Sequence, residues 1–555
     1  MRKHFVTAFV ASAVLASSAL ANVSLKNGNF FIGYTDLTHS GGIEPKVERV
    51  YNSKSSHDGI FGFGWGSDYE VYLKISADGS VIVHENGGGA QNRFTPPSIN
   101  AAEVDKAVAD IMTAKTKGGG MSGSLADTEK VRLRTDARYR NDEWERLYDK
   151  GLVKSRQVSE GATLKSNKFS FQVITKTKEG YVRRFDNGQV QTFDEQGHLA
   201  RLADKNGNYL ALTYDKAGHI SVIQDNLNRR MSFVFNRLGK VEKVTGENSK
   251  SCMYKYNGSE LVYSKDSDGN VYEYKYSTNG RHNLVEIKYT DSTTLQVGYN
   301  QVNQNETVKW VKDRDGSLTE YTYGGDSPGG MNFSTAVLTK GPDGKEVSKS
   351  KYEYWEKAKL DGERYTYKLA TDIDGDKTDT IYNECCGLPL EITRNGDKTT
   401  FEYDPKGHVT KKMTPTEVTQ LDYDPKSSKV SKVMKYPKAG KTKPQWAQYS
   451  YDEKGNLVTA NNSEGKKVKI VYDHQGRIKA LIDQDKRQLQ FAYNEASRPV
   501  EISDPAVGKI QVQYTNSGDI KKVDSSGGRK IALQVTSAFQ NLLDIIRPAW
   551  VTLSF

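Results

Sequence analysis

The sequence predicts a mainly β protein, a long antiparallel β-meander of one repeated unit that curls into a shell or barrel-like spiral, with a small helical insert near the N-terminus. Two observations predict it. First, an aromatic residue, in most cases followed by Asp or Asn, returns about every twenty-one residues, at Phe193, Tyr214, Phe235, Tyr256 and Tyr276, and again at Tyr382, Tyr403, Tyr423, Tyr451, Tyr472, Tyr493 and Tyr514. A period of that length held over most of a chain means an array of one supersecondary unit. Second, apolar residues before each marker fall on alternate positions, as in Leu210, Leu212, Tyr214 and Leu489, Phe491, Tyr493, which is the period of a strand with one apolar face.

The unit follows from its residues. After the marker, Asp-x-x-Gly supplies a turn (Asp215 to Gly218), because Asp bonds its own downstream backbone and Gly accepts positive φ. A second strand follows, and a second Asp/Asn-rich turn such as Asp225 to Asn228 sends the chain back. In the second strand the apolar positions lie three apart (Ile220 and Ile223, Val241 and Val244), which reads as a bulge or a very short strand. Each marker ring hiding ~150 Å2 is worth roughly 4 kcal/mol before entropy, so the aromatic face must close on itself, on the end domains or on a guest.

The Y-D-x-x-G beat resembles the YD repeat of the Rhs family, which also includes bacterial toxin-complex components and animal teneurins. The resemblance covers about 350 residues, from Tyr181 to Lys530, and its specificity comes from iteration. It implies a hollow spiral shell around a toxic or labile polypeptide. The chain departs from the long family members, since no autoproteolytic motif follows Tyr514 and Asp504-Pro505 stands without the rest of it. A self-contained toxin is therefore not expected.

Taken in order, residues 1–21 read as a secretory signal peptide, with Arg2 and Lys3 before an apolar run and Ala19-Leu20-Ala21 as the cleavage site. Its removal lowers the net charge from +10 to +8, because Arg2 and Lys3 leave with it. No later apolar run is long enough to span a membrane. The mean hydropathy of −0.70 fits strands with one wet face. Residues 22–100 form an N-terminal β region. In it Arg49-Val50-Tyr51-Asn52-Ser53 and Phe61-Gly62-Phe63-Gly64-Trp65 resemble the R-x-Y-N-S strand and G-x-G-W turn that begin Rhs proteins. Residues 101–170 form a helical insert and linker. Asn100 and Glu103 make a capping box, Val104, Val108, Ile111 and Met112 a stripe, and a second helix from about Asp136 presents Trp144, Leu147 and Tyr148, the tract from Lys117 to Ser124 linking the two. Residues 171–530 are the repeat shell, with looser markers at Tyr323 and Tyr354 and long loops at Gly324 to Gly330 and Lys438 to Pro444. Residues 531–555 are a cap or plug, a short helix around Phe539, Leu542, Leu543 and Ile546 before Pro548.

Catalytic sets fail one by one. His198, His219 and His408 each follow a turn Gly at one repeat position and read as lattice residues, and His474 lies in a turn. Asp313-x-Asp315-Gly316 and Asp372-x-Asp374-Gly375-Asp376 lack the spacing of calcium loops. Cys252, Cys385 and Cys386 allow a disulfide from Cys252 to either neighbour, a Cys385-Cys386 link, or three small apolar fillers; metal binding is the weaker reading. Scattered lysines argue against nucleic acid. No cofactor, no metal and no enzymatic activity are expected. The expected function is a secreted, periplasmic or cell-surface β-shell that binds or encapsulates an unknown protein or glycan partner at the cell envelope. Two alternatives are a toxin-delivery shell with a separately encoded effector, and an envelope glycan-acting enzyme with a loop-borne site.

Overall fold

The computed structural model describes residues 22–39, 43–86, 90–97, 101–117, 121, 123–154, 156–166, 172–300, 306–326, 330–358, 364–384, 387–438, 443–495, 497–514 and 520–546. The expected signal segment, the capping Asn100, Cys385, Cys386, and the tail with Pro548 lie outside them.

Among the described residues, thirty-six strands pair antiparallel in one sheet that closes like a barrel. Neighbours in sequence are neighbours in space, from Tyr72–Ile75, Val81–Glu85 and Ala90–Thr95 through Thr163–Ser166 and onward to Ile520–Ser525. At its start the ribbon doubles back, with Tyr72 bridging His198 and the Leu73 N–H donating to the Gly197 carbonyl at 2.9 Å. A second contact joins distant repeats. Lys205 Nζ donates to the Gly455 carbonyl at 2.7 Å, and Asn456 Nδ2 to Asn206 Oδ1 at 3.0 Å.

Alternation decides which face is inner. In Arg230–Phe235 the residues Met231 and Phe233 are buried while Arg230, Ser232 and Val234 are exposed. The spacing of three in the second strand is a bulge in every regular unit: Thr213 pairs with Val222 but Tyr214 with Ile220, which leaves Ser221 over. The same shift precedes Phe193, Phe235, Tyr256, Tyr276, Tyr382, Tyr403, Tyr423, Tyr451, Tyr472, Tyr493 and Tyr514.

The expected N-terminal β region divides between two sheets. Tyr72–Ile75, Val81–Glu85 and Ala90–Thr95 belong to the shell, whereas Asn22–Ser24, Asn29–Thr38, Lys46–Asn52 and Trp65–Ser67 form a separate four-stranded sheet. Phe30, Ile32, Tyr34, Tyr51 and Trp65 from that small sheet share one core with Phe193, Ile223, Val244, Tyr254, Tyr274, Ile287 and Val308 of the repeats. The aromatic face of the first half of the shell thus closes on the chain's own N-terminal sheet, which acts as a plug.

The insert holds three helices where two are expected: α1 (Ala101–Thr116), α2 (Ser124–Thr135) and α3 (Ala137–Asp149). The expected linker up to Ser124 runs directly into α2, whose one buried residue, Leu133, writes no stripe into the sequence. Asp136 caps α3 through the Tyr139 N–H at 2.9 Å. Val108, Ile111, Met112, Trp144 and Leu147 pack together with Ala77. Lys74 and His84 hold Glu145 of α3 at 3.1 Å, so the insert sits on the outer face of the shell opposite inward-facing Leu73 and Val83. At the other end α4 (Gly528–Ile546) is longer than the expected short helix. It lays Val535, Leu542 and Ile545 on Ala460, Ile470, Leu481 and Leu489 of the last repeats.

Candidate functional site

Most repeats with a Tyr marker are locked to the one before through its hydroxyl. The Tyr214 hydroxyl donates to the Leu199 carbonyl at 2.8 Å, and Leu199 is the residue that pairs with the preceding marker, Phe193. The same bond recurs from Tyr256 to Val241 (2.8 Å), Tyr276 to Leu261 (2.9 Å), Tyr299 to Leu284 (3.0 Å), Tyr323 to Val308 (2.8 Å), Tyr403 to Pro389 (2.5 Å) and Tyr423 to Val409 (2.8 Å). It continues from Tyr451 to Val430 (2.6 Å), Tyr472 to Leu457 (2.9 Å), Tyr493 to Ile478 (2.8 Å) and Tyr514 to Pro499 (2.8 Å). The bulge takes that carbonyl out of the regular ladder, and the hydroxyl supplies the missing donor. Burial pushes the Tyr472 and Tyr493 hydroxyls up to about 12. Tyr354 is no marker. It stacks on Phe333 at 4.7 Å inside a long hairpin.

The Asp of each unit holds its turn. Asp215 Oδ1 accepts from the N–H groups of Ala217 and His219 at 2.8 and 2.9 Å, which keeps its carboxyl below the ordinary carboxylate range. His198, His219 and His408 face their own Asp at 3.1, 3.5 and 2.9 Å and lie against the next marker ring, Tyr214, Phe235 and Tyr423. The Asp-rich loops are turns too. Asp374 Oδ1 accepts from the Lys349 N–H at 2.7 Å, and Asp315 Oδ1 from the Ser317 N–H at 2.8 Å.

The centre of the plugged core is polar. Arg49 is fully buried, and its Nε donates to Asp36 Oδ2 at 2.6 Å. Its Nη2 reaches Ser264 Oγ and the Tyr274 hydroxyl, both at 2.8 Å. The Tyr254 hydroxyl donates to the same Asp36 oxygen at 2.7 Å. The guanidinium carbon lies 4.7 Å from the Tyr34 ring centre and 4.6 Å from that of Trp65. Burial opposes the charge, yet the Asp36 carboxylate keeps the guanidinium above its ordinary value. The ion pair lies within the plug, and Ser264, Tyr274 and Tyr254 of the repeats hydrogen-bond to its two charges.

Tyr51 of the Arg-x-Tyr-Asn-Ser strand and the Gly-x-Gly-Trp turn serve the same interface. The Tyr51 hydroxyl accepts from the Leu284 N–H at 2.9 Å, Trp65 Nε1 donates to the Tyr276 hydroxyl at 2.9 Å, and the Phe63 N–H reaches the Ser259 carbonyl at 2.8 Å. Gly62, at φ +100°, lies so close that an added Cβ would stand 2.5 Å from that carbonyl oxygen. Cys252 is a free thiol in this core, donating to the Asp36 carbonyl at 3.2 Å, and burial pushes it up.

Among the described residues, two of the surface depressions lie outside the plugged core. A groove of about 580 Å3 between α3, the strand Tyr72–Ile75 and two marker turns is lined by His57, His198, His219, Glu70 and Glu195. The repeat position of His198 and His219 does not announce this groove, because its third histidine, His57, comes from the distant N-terminal region. The second, about 980 Å3, lies where the plug, the early turns and the late repeats meet.

A plugged spiral of units locked by Tyr hydroxyls defines a YD-repeat β-shell. Residues 430–549 match the family model Teneurin YD-shell, and residues 21–94 match a domain of unknown function, DUF6531. Residues 430–549 are thus of the YD-shell type, and the same repeated unit, with its bulge before the marker, extends beyond the matched interval back to Phe193. Among solved structures, the Photorhabdus luminescens Tc holotoxin pore is 12% identical, with 92% of this chain and 28% of that chain covered at a TM-score of 0.44. A TcdB2-TccC3 structure is 11% identical, with 96% and 29% covered at 0.38. The chain thus spans under a third of their length. No curated protein matches it.

Proposed function

We propose that this β-shell is a non-enzymatic scaffold, exported and held at the cell envelope, that binds or encloses a protein or glycan partner. The observation that carries the reading is the uneven covering of the inner face. The plug packs the repeats up to Tyr321 and α4 those from Leu457 onward; between them burial among the described residues is confined to a small cluster of Phe401, Val409, Leu421 and Val433 and to scattered positions such as Phe333 and Thr335. Leu318–Gly325 and Arg364–Ile373 contain no buried residue, and Tyr323 and Tyr352 stay half-exposed on either side of Thr335, which is buried and donates to the Leu25 carbonyl at 2.8 Å. A half-exposed aromatic lining of this extent is the kind of surface that a partner covers. The signal-like segment that ends at Ala21 supports export.

Native mass spectrometry of the chain purified from its own cells tests both parts. The expected species begins at Asn22 and carries a stoichiometric partner. A chain that retains Met1, or one that carries nothing while Tyr352 labels as freely as an exposed tyrosine, would overturn the reading.

A further inference from the structure

We propose that Lys205 is a nucleophilic lysine, set beside Lys429 so that it takes up a small aldehyde as an imine at the seam where early and late repeats meet. Lys205 Nζ donates to the Gly455 carbonyl at 2.7 Å, and Lys429 Nζ donates to the same oxygen at 2.8 Å. Two ammonium ions that share one carbonyl repel each other, and the loss of one proton relieves both.

The seam fixes this meeting. Asn206, next to Lys205, packs on the turn at Gly476, and its Oδ1 accepts from Asn456 Nδ2 at 3.0 Å. The carboxylates closest to the pair are committed to their own turns. Asp204 Oδ1 accepts from the N–H groups of Asn206 and Asn208 at 2.8 and 2.9 Å, while Asp452 takes the Asn456 N–H at 2.7 Å and its Nδ2 at 3.0 Å. Asp473, on the turn that meets Asn206, is bound by Arg477 Nε at 2.7 Å, and the turn packed on the Lys205 stem at Gly188 carries Asp186. Burial first, and then Lys429, lower the Lys205 amine to about 8, with Asp452 and Asp204 acting in the opposite sense. Both lysines are only half-buried, so the amine is held in place and still open to a small reagent.

The pair also selects the chemistry. Imine formation needs a free amine to attack and an acid to expel the oxygen, and a lysine deprotonated by a cationic neighbour supplies both at once. The Lys205 lone pair adds to the aldehyde carbon, and the carbonyl π pair moves onto oxygen. Lys429 gives that oxygen two protons in turn, and each time recovers one from the Lys205 nitrogen. The oxygen leaves as water, a C=N bond remains, and Lys429 ends as the ammonium it began as. The reaction is stoichiometric and needs no guest inside the shell.

The test is reductive alkylation of the full mature chain with propanal and cyanoborohydride at low conversion, mapped by peptide mass spectrometry across a pH series. Comparing lysines within one sample removes the pH dependence of the reductant. Near pH 8 about half of Lys205 is free amine against roughly 0.3% of an ordinary lysine, and the weaker nucleophilicity of a less basic group returns about tenfold of that advantage. Lys205 is therefore expected to label about tenfold faster than the median exposed lysine, and its rate to level off above pH 8 where the others still climb. Lys429→Gln is expected to bring Lys205 down to the rate of its neighbours, with the thermal midpoint as the check on folding. Lys429→Arg keeps the charge but yields protons poorly, so it is expected to keep the levelling near pH 8 and to lose rate. Should the Gln variant fold poorly, the pH profile of the unaltered chain decides. Labelling of Lys205 no faster than the median lysine, a rate that climbs past pH 10, or a folded Lys429→Gln chain that labels as fast as the original would each overturn the proposal.

Discussion

Replacing Arg49 with Met tests the claim that the plug's buried Asp36–Arg49 pair anchors it in the shell through Ser264, Tyr254 and Tyr274. Met matches the length of the Arg stem but leaves the Asp36 carboxylate, 1% exposed, with the Tyr254 hydroxyl and no cation. Removing one partner of a buried pair costs roughly 3–5 kcal/mol, chiefly because the other charge is stranded. The retained Tyr254 bond places the expected loss near the lower end, about 3 kcal/mol. Losing the guanidinium from between Tyr34 and Trp65 adds in the same direction, at roughly 0.5–2 kcal/mol. Urea unfolding followed by tryptophan fluorescence reads it directly, because fully buried Trp65 stands beside Arg49. The decisive comparison is the double substitution Arg49→Met with Asp36→Leu. If a stranded carboxylate is the cause, the double variant recovers much of the loss. A single-variant loss under about 1 kcal/mol, or a double variant no more stable than the single, would refute the reasoning.

Other expectations concern the repeat lattice and its ends. Tyr472→Phe removes the 2.9 Å bond to the Leu457 carbonyl and keeps the ring, so thermal melting should show a loss of about 1 kcal/mol, against several for Tyr472→Ala. Burial lifts Tyr403, Tyr423, Tyr451, Tyr472 and Tyr493 to about 12 from an ordinary value near 10. Between those values the unfolded chain binds fewer protons than the folded one, so stability is complete below pH 10 and falls as pH rises toward 12. Absorbance of tyrosinate at 295 nm should therefore rise together with unfolding; markers that titrate reversibly near 10 in a folded chain would contradict this. Gly62→Ala forces a Cβ against the Ser259 carbonyl at positive φ and should cost a few kcal/mol, read as faster proteolysis within residues 57–64. Leu542→Asp should lift α4 from the last repeats and raise dye binding there without disturbing Trp65 fluorescence.

Local rules made the shell legible, and distance hid the rest. The marker beat, the alternation before Tyr214 and the three-residue spacing of Ile220 and Ile223 each report a feature within one unit, and all three appear as strands, inner face and bulge. The plug could not be read in that way. Arg49 and Tyr274 are 225 residues apart, and nothing near either one names the other. The larger surface depression, between Lys250 and Arg498, has the same cause, since only the closing of the spiral brings its walls together. The helix α2 escaped for the opposite reason. Its surroundings bury a single leucine, so the pattern that announces α1 never forms.

The plug also carries a consequence for biogenesis. The material that fills the first half of the interior is translated before any of the wall that surrounds it, so the wall is laid down around a contents already waiting. Until Tyr254, Tyr274 and Leu284 arrive, Phe30, Tyr51 and Trp65 have nowhere to bury their rings. A nascent chain in this state offers sticky surface for some two hundred residues of synthesis, and through that interval it gains from a companion that shields it.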